Sequence, residues 1–271
     1  MSDDERHSIF RSADQDVEII HRTTPDTEQT RAPAYRLAFE DTDFLRRERL
    51  RPLRLQLELL KPELIMSDMG IESTVVLFGG ARIPAPKNRA SARTETLAGL
   101  TAYYDEARKF AALAGAECMA RGGQEFVVVT GGGPGVMEAG NKGAREAGAP
   151  TVGLNIVLPH EQAPNTYVTP ELCFNFHYFA IRKMHFLMRA CAIAVFPGGF
   201  GTLDELFETL TLIQTERMKS IPVLLFGEEF WRRIVNWEAL ADAGTIAPED
   251  LDLFTFVETA EEAWAAIAPR D

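Results

Sequence analysis

Residues Cys191 to Glu205 read CAIAVFPGGFGTLDE, and the fold can be worked out from this stretch. Its first six residues, Cys191–Phe196, are apolar and rich in β-formers, as expected of a strand buried on both faces. Beyond the loop, Leu203, Leu206, Phe207, Leu210 and Ile213 recur at helical spacing. A glycine-rich turn from strand to helix leaves backbone N–H groups at the helix N-terminus, where partial positive charge collects. Such a turn suits an anion, most often a phosphate. A carboxylate beside a phosphate is repelled, so Glu205 must address something else, and a ribose is the natural object.

The same alternation of strand and helix runs outward in both directions. Thr74–Phe78, Phe126–Val129, Thr151–Val157, Cys173–His177, Ile221–Phe226 and Leu253–Val257 read as further strands. Helical patterns fill the intervals at Thr94–Ala120, Val136–Ala147, Phe179–Ala190, Glu229–Leu240 and Ala260–Ile267. Apolar strands alternating with helices predict an α/β fold: a Rossmann-like, doubly wound, mostly parallel sheet of about seven strands with helices on both faces. Residues 1–35 mix charges with Thr, Gln and Pro without a sustained period and read as a mobile N-terminal arm. Residues 36–70, with leucines among arginines and glutamates and an interruption at Pro52, read as a helical extension that packs on the main domain or on a neighbouring subunit. Residues 71–271 form the expected nucleotide-binding catalytic domain.

The chain has 271 residues, 46% hydrophobic and 25% charged, an ordinary globular composition. A net charge of −12 opposes nonspecific nucleic-acid binding, which needs a basic footprint. No apolar run approaches membrane-spanning length, and the start MSDDERHS shows no secretory pattern. Cys118, Cys173 and Cys191 lack metal-ligand spacing and read as buried thiols in a reduced, cytoplasmic setting. Neither a metal nor a cofactor is expected.

Ligands of open parallel sheets bind beyond the carboxyl ends of the strands, where strand order reverses. That edge collects Gly79–Arg82, Gly131–Gly135, Pro197–Glu205 and the start of the helix carrying Arg182 and Lys183. Cations in a helix's first turns oppose its dipole at about 0.3–1 kcal/mol each. An anionic ligand would explain them; an ordinary surface salt bridge is the alternative. Thr202 and Glu205 also fit a capping box, in which both side chains would serve the helix end instead of a ligand. Asp204 is the competing carboxylate, and His177, flanked by aromatics, is either a packed core group or an acid for a leaving group.

Read as a dinucleotide fingerprint from Gly131, GGGPG meets Val136 where a Gly or Ala is required; read from Gly133, it meets Glu138. No G-x-x-x-x-G-K-[ST] occurs either. Two glycine-rich loops without a dinucleotide signature point to a mononucleotide.

GGGPGVM at Gly131–Met137, the Arg182-Lys183 pair and PGGFGTLDE together resemble the Lonely guy (LOG) family, formerly labelled lysine decarboxylase-like. The resemblance covers roughly residues 74–237. It implies a Rossmann-like domain that hydrolyses the N-glycosidic bond of a purine nucleoside 5′-monophosphate. The substrates are AMP, cytokinin riboside monophosphates or both, and the products are free base and ribose 5-phosphate. By position it implies catalytic Arg182 and Glu205. It also implies that Gly198, Gly199, Gly201 and Thr202 form the phosphate loop and Gly132, Gly133 and Gly135 the facing loop, with Lys183, beside the arginine, as a further substrate-binding residue. Homodimers as the minimal unit, with the site near the subunit interface, are implied too. The chain departs from the pattern at Gly79-Gly80-Ala81-Arg82, where a serine is expected second. It departs again at Phe179 and Phe186, where short members carry methionines, which favours plain AMP. A non-catalytic nucleotide or cofactor carrier on the same fold, like molybdenum-cofactor carriers, is the alternative. The old decarboxylase label finds only Lys142 and Lys183 nearby and no pyridoxal context.

Overall fold

The computed structural model describes residues 9–159 and 163–269. The first eight residues of the expected arm, and His160–Gln162 of the loop after the third strand, lie outside the described residues. The chain divides into two compact units, Met1–Arg54 and Leu55–Asp271.

In the first unit, α1 (Ala13–Thr23), α2 (Glu28–Arg31) and α3 (Thr42–Leu45) bury none of their residues. The stretch read as an arm without a period therefore contains a helix. Its N-terminus is closed by a capping box, with Gln15 N–H donating to Ser12 Oγ at 3.3 Å and Ser12 N–H to Gln15 Oε1 at 3.0 Å. Cap chemistry marks this helix where apolar periodicity does not. The unit boundary falls inside α4 (Arg51–Asp68). Pro52 sits in the first turn of α4, where its missing N–H costs nothing, so the helix starts there and is not interrupted.

The second unit is built on β1 (Thr74–Phe78), β2 (Val127–Thr130), β3 (Thr151–Ile156), β4 (Cys173–Phe176), β5 (Ala190–Val195), β6 (Val223–Phe226) and β7 (Thr255–Val257). They form one sheet in the order β4-β3-β2-β1-β5-β6-β7, with every neighbouring pair parallel. Alternation along β1 sends Val75 and Leu77 into one core with Phe110, Val136 and Phe226. Val76 and Phe78 enter the other, with Phe186, Leu206 and Trp231. The covering helices are α5 (Glu95–Gly99), α6 (Ala102–Ala120), α7 (Val136–Glu146), α8 (Phe179–Leu187), α9 (Phe200–Gln214), α10 (Glu228–Ile234), α11 (Trp237–Asp242) and α12 (Ala260–Ile267).

Two stretches expected as single helices are divided. The first parts at Leu100-Thr101 into α5 and α6, and the second restarts at α11, where Asn236 Oδ1 accepts the N–H of Ala239 at 3.1 Å. From Leu55 onward, α4 packs on its own sheet unit. The Glu58 carboxylate accepts the N–H groups of His177 and Tyr178 at 2.8 and 3.0 Å, fastening the turn that leads into α8. Arg189 is held by Glu63 and, at 2.9 Å, by Ser67 Oγ.

Strand order reverses between β1 and β5. The loops that follow them are therefore neighbours, joined by Phe196 N–H to Phe78 O at 2.8 Å and Gly80 N–H to Pro197 O at 2.9 Å.

Candidate active site

The helix after β5 begins earlier than a capping box would require. Gly199 is the N-cap of α9 and no side chain caps this end, so Thr202 and Glu205 lie inside the helix as its third and sixth residues. Their side chains are thereby released from cap duty. A Cβ at Gly198 would come within 2.1 Å of Thr202 Oγ1, so a side chain is excluded there. At Gly199 and Gly201 a Cβ would meet nothing within 4 Å. These two glycines border a cavity of about 1180 Å³, which the backbone N–H groups of the first turn of α9 can address.

Arg182 and Glu205 both line that cavity. Arg182, 9% exposed, stands one turn into α8; its Nε donates to Leu154 O at 2.7 Å and its guanidinium lies 5.0 Å from the centre of the Phe186 ring. Those two contacts hold the guanidinium where it lines the cavity. Its Nη1 is 3.7 Å from Glu205 Oε1. Glu205 is 8% exposed, and burial raises the pKa of its carboxyl above the ordinary value, opposed by Arg182 and reinforced by Asp204. The site thus holds a buried carboxylate facing a buried guanidinium.

The two cations at the start of α8 part company. Lys183 is not among the residues lining the cavity; its Nζ lies 3.0 Å from Asp204 Oδ1 and 3.1 Å from Glu208 Oε2. Burial works against its charge, but the bonds to these two acids raise its pKa overall.

The loop after β2 is placed differently from the loop after β5. Gly131 lines the cavity, where a Cβ would lie 2.7 Å from Arg182 Nη2. Gly132, Gly133 and Gly135 stand behind it. The Gly132 carbonyl accepts from Asn165 N–H at 2.8 Å, and the Gly133 carbonyl from Asn165 Nδ2 at 3.0 Å. Gly135, at φ +70°, lies against Gly80.

Sequence reasoning missed the network beneath this loop. Asn141, fully buried on α7, accepts from Thr130 Oγ1 at 2.7 Å and from Asn165 Nδ2 at 2.8 Å, and donates to Thr151 Oγ1 at 2.7 Å. The signal was available: Asn141 sits among the small residues of the buried face of α7, where a polar side chain needs partners. Asn155 and Asn175 also line the cavity and were not singled out, whereas Arg82 was collected with its loop without a role. His177 is exposed, edge-on to the Tyr178 ring at 4.6 Å, and outside the lining; the buried imidazole is His185. Among the described residues no cluster of His, Cys, Asp and Glu suits a metal ion, and no helix is long and apolar enough to cross a membrane.

The fold and this edge define a Rossmann-like α/β protein in which a helix N-terminus and a buried Arg–Glu pair open into one cavity at the sheet's switch point. Residues 137–267 match the model of the family described as "Possible lysine decarboxylase", the LOG family of the sequence resemblance. No curated protein matches the chain. Among solved structures it is similar to the molybdenum cofactor binding protein of the phototrophic bacterium Rippkaea orientalis. The identity is 18% and the TM-score 0.46, over 72% of this chain and 95% of that one. It is also similar to the molybdenum cofactor carrier protein of Chlamydomonas reinhardtii, at 19% identity and a TM-score of 0.46, over 72% of this chain and 96% of that one. Likeness at this level says nothing of what this chain binds.

Proposed function

We propose that the protein hydrolyses the N-glycosidic bond of a purine nucleoside 5′-monophosphate, with AMP as its substrate, releasing the free base and ribose 5-phosphate. The observation that carries this reading is the meeting of Arg182 and Glu205, twenty-three positions apart, in the cavity that the start of α9 borders. The phosphate rests on the N–H groups of Gly199, Gly201 and Thr202, where the missing side chains let it approach the backbone. Glu205, buried and raised in pKa, accepts hydrogen bonds from the ribose hydroxyls and stabilises the positive charge that develops at C1′. Arg182 offsets the acid's charge and holds the phosphate or the base. The C1′–N9 bond breaks with its electron pair on the purine; water adds its oxygen to C1′, and the proton it gives up balances the departing base.

The homodimer implied by the family has surface to use, since Met184 and Met188 of α8's end and Phe200 and Phe207 of α9 are exposed. A cytoplasmic setting accords with three free thiols. Incubation with AMP and chromatography of the products tests the reading. Free adenine with equimolar ribose 5-phosphate is expected. AMP that binds and is recovered intact would instead make the protein a carrier.

A further inference from the structure

Two neighbouring cations of α8 form ion pairs with α9, and the first partner of each is a neighbour of the other's. Arg182 faces Glu205; the next residue, Lys183, faces the preceding acid, Asp204, and also Glu208 one turn on. Three carboxylates therefore fall within five residues of α9, and two consecutive cations of α8 answer them. Without Lys183, the i and i+4 pair Asp204 and Glu208 would repel each other, and both would add negative charge beside Glu205.

The two pairs differ in what else they touch. Arg182 and Glu205 line the cavity, whereas the Lys183 ammonium is spent on the two acids outside it. The Lys183 side chain is only 15% exposed, against 58% for Asp204 and 34% for Glu208. The cation is thus seated between the helices, where its attraction is screened less than that of a surface pair.

We propose that Lys183 is a positioning residue: by tying Asp204 and Glu208 to α8 it fixes the spacing of the helices that carry Arg182 and Glu205, and its charge offsets part of the negative charge of those two acids beside Glu205. This rests on the hydrolase reading for its kinetic consequence, and on the ion-pair geometry alone for its electrostatic one. The charged groups acting on Glu205 are Arg182 and Lys183 from α8 and Asp204 from its own helix; Glu208 pairs with Lys183 one turn on, and Arg82 from the loop after β1 lines the same cavity. Of these, Lys183 alone is bonded to both neighbouring acids.

The test is Lys183→Met, Lys183→Arg and the double variant Lys183→Met/Asp204→Asn, each as the full chain. Lys183→Met is expected to lower kcat for AMP by roughly tenfold to a hundredfold through misplacement of the pair, with KM little changed. The acid limb of its pH–rate profile moves to higher pH. Lys183→Arg retains the wild-type profile, and Asp204→Asn returns the acid limb of the Met variant toward wild type. A carboxyl-carbon NMR titration of Glu205 in the same proteins reads the electrostatic half without turnover. A wild type that releases no adenine therefore defeats the hydrolase reading and leaves this one open to test. Should Lys183→Met fail to fold, Lys183→Gln carries the same comparison. Raised KM at constant kcat, with the Glu205 titration unmoved, would overturn the proposal and make Lys183 a substrate contact.

Discussion

In the loop after β2, a Cβ at Gly135 would lie 2.4 Å from the carbonyl oxygen of Gly80; in the loop after β5, a Cβ at Gly201 would meet nothing within 4 Å. Both loops are glycine-rich and both leave the same edge of the same sheet. In the first, the glycine is required by the protein itself, through a φ of +70° and the backbone packed against it. In the second, the glycine occupies a helical position with room to spare, where alanine would be the better helix former by about 1 kcal/mol. A residue that lowers helix stability without a steric reason inside the protein is explained by something that approaches from outside. The loop after β2 is thus a wall, fastened from behind by Asn165 and the Asn141 network, and the loop after β5 is the cradle.

The largest expected effect falls on the cradle's acid. Glu205→Ala should lower adenine release from AMP by about a thousandfold or more, because it removes the group that meets the developing charge at C1′. AMP binding by calorimetry should remain measurable. Wild-type turnover in this variant would break the division of labour between the loops.

Next come the glycines themselves. Gly135→Ala should destabilise the fold by about 1–3 kcal/mol from the backbone conformation alone, before any clash with Gly80 is counted. Gly201→Ala should do the reverse, raising stability by about 0.5–1 kcal/mol while weakening AMP binding by roughly tenfold. Chemical denaturation and calorimetry of the two variants check both. If Gly201→Ala bound AMP as wild type does, the open space above α9 would have no ligand to explain it.

A smaller effect follows from the pKa of Glu205, which burial raises. If the carboxylate is the working form, kcat/KM should fall with falling pH through a midpoint above the ordinary carboxylate range. Stability runs the other way. A folded-state pKa above the unfolded one means that ionised Glu205 is less comfortable in the fold than in water. Its cost is absent below the ordinary carboxylate value and fully present above the raised one. Glu205→Gln should therefore match wild-type melting temperature in acid and exceed it at neutral pH. A melting series across pH reads this directly.

Much of the architecture was legible because it depends on local pattern. Continuous apolar runs such as Thr74–Phe78 and Cys191–Phe196 have one physical use in a chain that alternates them with helices, and all seven were found within a few residues of their ends. The breaks that were missed have non-periodic causes. The turn at Leu100-Thr101 and the restart at Asn236 are capping events inside stretches whose apolar spacing runs on. At the site, Arg182 and Glu205 could be singled out because each is costly where it stands. The cap competing for Glu205 could be weighed but not decided, since it turns on whether the helix begins at Phe200 or at Leu203. Lys183 could not be told from Arg182 by sequence: adjacent residues on a helix point about 100° apart, and only the packing of α8 on α9 shows which of them meets the cavity. Asn141 escaped because its partners Thr130, Thr151 and Asn165 come from separate elements.

The central claim is that Arg182 and Glu205 act on one nucleotide monophosphate held by the start of α9. A crystal structure of Glu205→Gln soaked with AMP tests it most directly. The account predicts phosphate oxygens within hydrogen-bond distance of the N–H groups of Gly199, Gly201 and Thr202, with the ribose hydroxyls at residue 205 and the guanidinium of Arg182 on the same molecule. AMP seated elsewhere in the cavity, with residues 182 and 205 both untouched, would contradict it.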